Sequence, residues 1–178
     1  MSVESFPIVD ARDNHLRVVF GKKALHRNGG YHRSVHVFVE VFGGLFVLQK
    51  KAAGTENAGK WSSSASGHVR CGESYKQAAV RELEEEIGLK IDSEELREIV
   101  KVSPSTANGN EFSTLFTYLM DPKEEELELE PSEVDEIIIG ALIDVIGDVE
   151  KYRDEYSPAF VELFNIFLAL EKGMEGTN

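Results

Sequence analysis

The sequence has few of the features that mark extracellular or membrane proteins. Only one cysteine, Cys71, occurs in 178 residues, so no intramolecular disulfide can form and a reducing compartment is expected. The longest apolar run near the C-terminus, residues 166–170, is far shorter than the roughly 18 residues that span a bilayer. The first residues lack a cationic stretch followed by an apolar one, so no secretory signal is predicted. These absences predict a cytoplasmic protein with no membrane partner.

Basic residues are also scarce, with 19 Lys and Arg against 32 Asp and Glu and a formal net charge of −13. Proteins that coat duplex nucleic acid need clustered Lys and Arg, so no nucleic acid polymer is expected as a partner. Residues 1–51 nevertheless carry eight Lys and Arg against four acids, and residues 52–178 carry 11 against 28. This asymmetry indicates either a solvated acidic surface or a basic region that attracts an anionic substrate toward metal-binding acids.

Residues 1–178 contain no internal repeat and no linker, which predicts a single domain. Alternating valines at residues 35–41, the turn residues Gly43-Gly44 and a β-rich run at residues 45–49 predict a hairpin. The other predicted segments are strands at residues 96–102, 112–120 and 137–139, loops at residues 52–60 and 103–110, a short strand or turn at residues 67–69, an acidic stretch at residues 121–133, and a helix that begins at Ser157-Pro158 and ends before Gly173. This order of elements predicts a mixed sheet covered on both faces.

A further helix is predicted at residues 75–87. Ser74 and Gln77 form a capping-box pattern at its start, and Gly88 stands where a helix should end. Good helix formers fill the residues between these signals. Its beginning and end are therefore both defined by local chemistry.

Three glutamates share one stripe of this helix. At about 100° per residue, Glu82, Glu85 and Glu86 lie beside the apolar stripe, so Glu82 and Glu86 are expected to point into a crevice. Like charges at this spacing cost a few tenths of a kcal/mol per pair, a cost that a bound cation would offset. Carboxylate oxygens suit a hard divalent cation such as Mg²⁺ or Mn²⁺. An ordinary solvated acidic face is the alternative.

The whole segment at residues 67–89 resembles the Nudix box, G-x5-E-x7-R-E-U-x-E-E-x-G-U, in which U is aliphatic, at every position. The identical residues are Gly67, Glu73, Arg81, Glu82, Glu85, Glu86 and Gly88, and the aliphatic positions hold Leu83 and Leu89. Seven fixed positions, each with a frequency of roughly 7%, make an accidental match very rare. The sequence therefore resembles a Nudix hydrolase over about residues 30–170, preceded by an N-terminal extension at residues 1–29.

The resemblance implies an α/β/α sandwich with a mixed β-sheet, in which the box holds divalent metal against a diphosphate substrate. Glu82, Glu85 and Glu86 are then the expected ligands of Mg²⁺ or Mn²⁺, joined by the carbonyl of Gly67, and one of these glutamates is expected to prepare the attacking water. Arg81 is expected to orient a box glutamate and Glu73 to be its charge partner. The family resemblance is also compatible with a homodimer.

A further acid outside the box often assists in Nudix enzymes. Glu111, at the edge of the predicted strand at residues 112–120, and Glu133, before the next strand, are the two candidates. For each of them an ordinary surface acid is the alternative.

Three further stretches are Trp61-Ser-Ser-Ser-Ala-Ser66-Gly67-His68, Gly72-Glu73-Ser74 and Tyr31-His32-Arg33-Ser34-Val35. They resemble the branch of the family that contains isopentenyl diphosphate isomerase. In those isomerases a cysteine just before a Gly-His pair performs the proton chemistry, whereas this sequence has Ser66 there and its cysteine at Cys71. A serine hydroxyl is a far poorer proton donor or acceptor near pH 7 than a thiol, so hydrolysis is favoured over isomerisation. The histidines that could form a metal site as in the isomerases are His26, His32 and His68, with Glu111 near the position of a metal-binding glutamate in that branch. For each histidine a hydrogen-bonded or surface residue is the alternative.

The sequence thus supports three functions. The first is a Mg²⁺- or Mn²⁺-dependent hydrolase that cleaves the diphosphate linkage between a nucleoside and another moiety. The second is an isopentenyl-diphosphate delta-isomerase-like enzyme, and the third is a module that binds a nucleotide without cleaving it. The intact box favours the first, since binding alone does not require three adjacent carboxylates.

Overall fold

The computed structural model describes residues 3–27, 29–105, 107–123 and 126–175. Thr106 in the predicted loop and residues 124 and 125 in the acidic stretch lie outside the described residues. The strands are β1 (Ser5–Val9), β2 (His15–Phe20), β3 (His32–Val41), β4 (Leu45–Lys51), β5 (Trp61–Ser62), β6 (Ala65–His68), β7 (Arg97–Val102), β8 (Glu111–Met120) and β9 (Val134–Ala141). The α-helices are α1 (Lys22–Arg27), α2 (Tyr75–Ile87), α3 (Leu142–Lys151) and α4 (Pro158–Glu175).

The larger sheet is mixed, as predicted, with the strand order β5-β4-β3-β8-β7. Strands β3 and β8 are parallel, with His32 opposite Glu111 at one end and Val41 opposite Met120 at the other. Strand β3 is antiparallel to β4 and β6, and β9 is antiparallel to β4. The parallel pair therefore brings the first residues of β3 and β8 together, next to β6.

Helices cover both faces of this sheet. Val37 and Val39 of β3 belong to the hydrophobic cluster formed with α2, whereas Phe38 between them belongs to the cluster formed with α3 and α4. This alternation follows from the two-residue period of a strand. The Phe38 ring lies 5.6 Å from the rings of both Phe160 and Phe167. The predicted α/β/α sandwich is confirmed.

The N-terminal residues form two strands and a short helix that the sequence did not predict. Strands β1 and β2 make a two-stranded antiparallel sheet, and its small core contains Phe6, Ile8, Val19 and Leu25. Helix α1 follows this hairpin. The Cys71 N–H donates to the Ser5 carbonyl at 2.8 Å, so β1 lies beside the loop that precedes α2.

The C-terminal helix differs from its prediction in length. Helix α4 starts at Pro158 as predicted, but it continues through Gly173 to Glu175, so the predicted end before Gly173 is wrong. Glycine weakens a helix by only about 1 kcal/mol relative to alanine and does not by itself end one.

Among the described residues, no helix is both long enough and apolar enough to cross a bilayer.

Candidate active site

Helix α2 has the beginning and the end that its sequence predicts. The Ser74 hydroxyl accepts a hydrogen bond from the Gln77 N–H at 3.2 Å, and the Gln77 side chain accepts one from the Ser74 N–H at 2.9 Å. Gly88 adopts a φ of 76° and donates to the Glu84 carbonyl at 3.2 Å. These caps define the register of the helix, and thereby the positions of the box carboxylates.

Glu86 is the most buried of these carboxylates, with 3% of the residue exposed. Its Oε2 accepts hydrogen bonds from Gln49 Nε2 at 2.7 Å and from the Ser66 N–H at 2.9 Å. Its Oε1 lies 2.7 Å from Lys51 Nζ. A cation and two neutral donors therefore stabilise a negative charge that burial alone would disfavour.

Glu82 is also buried, with 8% exposed, and lies directly against Gly67. A Cβ atom at position 67 would be 2.1 Å from Glu82 Oε1, so any side chain there would displace the Glu82 carboxylate. Burial raises the pKa of Glu82 to about 7; the Arg81 charge opposes this rise, whereas the Glu86 and Glu85 charges add to it. Glu82 and Glu86 are both buried, and Glu86 lines a cleft as expected, whereas Glu85 is exposed.

Arg81 connects the box acids. Its Nε and one terminal nitrogen bind the two Glu73 oxygens at 2.7 and 3.0 Å. Its other terminal nitrogen donates to Glu82 at 2.6 Å and to Glu85 at 3.0 Å. A further bond of 3.0 Å reaches the His68 carbonyl. The structure thus brings Arg81 to Glu73 and to two box glutamates, the contacts that an orienting role requires.

A second arginine, Arg70, was not identified from the sequence. Its two terminal nitrogens bind the Glu85 oxygens at 3.1 and 3.0 Å, and it also pairs with Glu4 from the N-terminal region. Arg70 occupies a variable position of the box, so the motif provides no signal for it. Glu85 is accordingly paired with two guanidinium groups.

Three histidines from separate segments meet beside the box. His26 lies in α1, His32 begins β3 and His68 ends β6, and one ring nitrogen from each lies within 4.8 Å of the other two. Glu111 Oε1 lies 3.1 Å from His32 Nε2 and 3.2 Å from His68 Nε2. The structure therefore brings together the three histidines and Glu111, as their possible metal-binding role requires.

Glu111 is not a surface acid, because only 12% of its side chain is exposed. Burial would raise its pKa, but hydrogen bonds from His32 and His68 and their positive charges hold the pKa of Glu111 well below its usual range. Burial likewise opposes protonation of His32, but the Glu111 bond and charge raise the pKa of that ring. Glu133 instead lies at a more exposed rim, 3.6 Å from Lys22 Nζ.

A cleft of about 960 Å³ joins these groups. Glu86, His68 and Glu111 line it, together with Lys51. Its other lining cations come from α1 and are Lys22, Lys23 and Arg27. Cations of the basic N-terminal third therefore line the same cleft as the box residue Glu86, which agrees with the second interpretation of the charge asymmetry.

Two donor sets fit metal ions of different kinds. Glu82, Glu85 and Glu86 offer oxygen atoms only, the donors that Mg²⁺ and Mn²⁺ prefer. Glu82 and Glu86 lie against the adjacent residues Gly67 and Ser66, so their carboxylates converge on one short segment. The histidine set offers nitrogen atoms, which suit Zn²⁺, Ni²⁺ and related ions.

Some residues of the cleft gave no recognisable sequence signal. Lys51 lines the cleft and Gln49 lies behind it, and both stand at the polar end of β4, where nothing in the sequence indicated that they contact Glu86. His36, also in the cleft wall, is one of several histidines in the chain, and nothing in its neighbours distinguished it. Their roles depend on strand pairing.

The family model for the NUDIX domain matches residues 30–160, which is more than half of the chain. The chain belongs to the NUDIX family. Its segment of 101 residues is 33% identical to Nudix hydrolase 3 of Arabidopsis thaliana, and the match covers 56% of this chain and 13% of the relative. A segment of 86 residues is 41% identical to isopentenyl-diphosphate delta-isomerase 2 of Photorhabdus laumondii and covers 48% of each protein. The chain thus spans less than half of either relative.

Other NUDIX relatives of this chain are also isopentenyl-diphosphate delta-isomerases, so the resemblance to that branch is confirmed. Among solved structures, DR0079 from Deinococcus radiodurans matches with a TM-score of 0.77 at 18% identity, covering 91% of this chain and 98% of that one. At this level of identity the likeness establishes the fold alone.

Proposed function

We propose that this NUDIX protein is a metal-dependent hydrolase that cleaves the diphosphate linkage of a nucleoside diphosphate joined to another moiety. The observation that carries this proposal is the complete set of box residues, with Glu82 and Glu86 buried beside Gly67 and Ser66. Arg81 binds the Glu82 carboxylate, and Gln49 and Lys51 bind that of Glu86. Keeping two buried carboxylates side by side is costly, and metal binding gives that arrangement a use.

In this proposal the ligands of Mg²⁺ or Mn²⁺ are Glu82, Glu85, Glu86 and the Gly67 carbonyl. Bound metal supplies positive charge, alignment and a more acidic water for attack on phosphorus. Arg81 holds Glu82 and Glu85 in position, and Glu73 in turn holds Arg81 through two hydrogen bonds.

The chain's own cations would bind the substrate phosphates. Lys22, Lys23 and Arg27 of α1 line the same cleft as Glu86. Glu82 is our candidate for the group that accepts a proton from the attacking water, because it is buried beside Gly67 and Arg81 holds its carboxylate in place. Glu111 would assist through the hydrogen bonds it makes to His32 and His68.

The decisive experiment is phosphate and nucleotide release from a panel of nucleoside di- and triphosphates, nucleotide sugars, dinucleotides and isopentenyl diphosphate with Mg²⁺ or Mn²⁺. Glu86→Gln should abolish metal-dependent cleavage. Glu84→Gln is a matched control, because Glu84 is exposed on the same helix and pairs with Lys90. If no member of the panel is cleaved, or if cleavage survives in Glu86→Gln, the proposal is wrong.

The second candidate is an isopentenyl-diphosphate isomerase-like activity, which the cluster of His26, His32, His68 and Glu111 favours. Ser66 stands against it, because that position holds the reactive cysteine in the isomerases. Isomer formation from isopentenyl diphosphate with Zn²⁺ or Ni²⁺, lost in His68→Ala, would establish this activity instead.

We further propose that residues 1–29 act as one unit with the domain at about residues 30–170, since α1 supplies a wall of the cleft. We also propose that the protein is cytoplasmic, which its single cysteine supports, since disulfides are rare in that compartment. A homodimer is proposed as well, and sedimentation of the full chain tests it.

A further inference from the structure

The loop between β7 and β8 forms part of the cleft wall. Asn108 and Gly109 of this loop line the cleft, and the loop leads directly into Glu111, the first residue of β8. On its other side, the Ser105 hydroxyl donates to the Glu162 carboxylate of α4 at 3.1 Å. The loop is therefore attached to a helix at one point and to the acid of the histidine cluster at another.

Asn108 is the buried residue of this loop, with 3% of it exposed. Its side-chain oxygen accepts hydrogen bonds from the Ser105 N–H at 2.7 Å and from the Glu111 N–H at 3.2 Å. Its side-chain nitrogen donates to the Ser103 carbonyl at 3.2 Å and to the Glu111 carbonyl at 2.8 Å. All four bonds go to the main chain, and they use both donors and both lone pairs of the amide.

Two of these four bonds hold Glu111, one at its N–H and one at its carbonyl. The Glu111 carboxylate in turn uses a single oxygen, Oε1, for both rings, at 3.1 Å from His32 Nε2 and 3.2 Å from His68 Nε2. Both distances are already near the upper end of the usual range for a hydrogen bond to nitrogen. A displacement of Glu111 toward one ring therefore weakens its bond to the other.

Only an amide makes this set of bonds at position 108. Aspartate has the same shape but accepts only, so the carbonyls of Ser103 and Glu111 would lose their donor. Alanine would leave all four main-chain groups without their side-chain partner, which is costly at a buried position. The identity of this one side chain thus determines where the loop places Glu111.

We propose that Asn108 is a positioning residue that acts through Glu111 on His32 and His68. This inference rests on the proposed function, in which Glu111 assists the reaction. The four bonds of the amide fix the main chain of Glu111, and the carboxylate is thereby kept within reach of both rings. A misplacement of about 1 Å at an active site can cost on the order of a hundredfold in rate, so loss of the amide impairs the reaction without removing any group that takes part in it.

A double-substitution cycle with the full-length protein tests this role. The measurement is kcat for metal-dependent hydrolysis of the panel member that the wild type cleaves. Asn108→Ala and Glu111→Gln should each lower kcat by about tenfold to a hundredfold, and the double variant should be no slower than Glu111→Gln alone. Asn165→Ala, at an exposed position of α4, is the matched control and should keep the wild-type kcat.

A second measurement reports the position of Glu111 without any turnover. The ¹⁵N chemical shifts of Nε2 in His32 and His68, recorded at one neutral pH, should move in Asn108→Ala in the same direction as in Glu111→Gln. A substitution that only lowers the stability of a still folded protein would leave these shifts unchanged, as Asn165→Ala should. If Asn108→Ala does not fold, Asn108→Asp takes its place with the same expectation, because it keeps the two accepted bonds and loses the two donated ones.

The inference is overturned if the ring shifts of the Asn108 variant equal those of the wild type. It is also overturned if the Asn108 substitution lowers kcat by the same factor with Glu111 present and with Glu111→Gln, since the two residues would then act independently. Hydrolysis by the wild type is scored separately. A protein that cleaves no diphosphate would lose the proposed function, whereas the ring shifts would still decide whether Asn108 positions Glu111.

Discussion

Gly67 shows how one small residue determines the position of a charged one. The Glu82 carboxylate occupies the space that a side chain at residue 67 would fill. The motif requires glycine at this position, and the structure supplies the steric reason. A misplacement of about 1 Å at an active site can cost on the order of a hundredfold in rate.

Gly67→Ala should therefore lower turnover of the cleaved substrate by about a hundredfold, because Glu82 must move. The measurement is kcat with Mg²⁺, together with the unfolding free energy. Gly147→Ala in α3 is the control, since an added Cβ there meets nothing within 4 Å. Wild-type kcat in Gly67→Ala would show that the position of Glu82 does not matter.

Glu82 should also make the metal-free protein less stable as pH rises. Its pKa is raised from 4.5 to about 7, so the folded state holds more protons than the unfolded state between these values. The stabilisation is present below pH 4.5 and is lost as pH rises toward 7, and it amounts to roughly 3 kcal/mol. The measurement is the difference in unfolding free energy between wild type and Glu82→Gln from pH 4 to 8. A difference that does not vary with pH would contradict the raised pKa.

Among the helices, those with a clear capping pattern were predicted from the sequence, whereas short or uncapped helices were not. Helix α2 carries a capping box and a terminal glycine, and its prediction matches the structure. Helix α1 has only six residues, and α3 has no side-chain cap at Ala141 and contains Gly147. Short or uncapped helices depend on tertiary packing, so a local pattern does not reveal them.

Two glycines of the helices should respond to alanine in opposite directions. Gly88→Ala should destabilise the protein by more than about 1 kcal/mol, because its φ of 76° disfavours a side chain and the Cβ would lie 2.9 Å from Glu128. Gly173→Ala should stabilise by up to about 1 kcal/mol, because it lies within α4 and an added Cβ meets nothing within 4 Å. Urea unfolding curves measure both. Equal effects would mean that Gly88 does not end α2 as described.

For the whole molecule, the important arrangement is the cleft between the N-terminal region and the sheet. Strand pairing brings His32 to Glu111 and His68, whereas His26 and the α1 cations come from residues outside the family match at residues 30–160. The site is thus assembled from α1, β3, β4, β6, α2 and β8, and residues near the start of α4 complete the cleft.

Mg²⁺ should stabilise the folded protein as a whole, because a ligand that binds only the native state shifts unfolding by mass action. At a concentration one hundred times its dissociation constant, the gain is about 2.7 kcal/mol. Thermal unfolding with Mg²⁺ and with EDTA measures it. Glu86→Gln should remove the shift and Glu84→Gln should keep it; a shift retained in Glu86→Gln would exclude Glu86 as a metal ligand.

The sequence by itself determined the family, the sheet-and-helix class and the position of α2, because these depend on spacings within a short segment. It also identified Glu82 and Glu86 as inward-facing, since helical periodicity converts spacing directly into direction. Tertiary structure decided which distant groups meet them. Lys51, Arg70 and His36 are ordinary residues in their own segments, and they acquire partners only when strands pair and loops close. Contacts between residues distant in sequence depend on the packing of the whole fold, which no local pattern records.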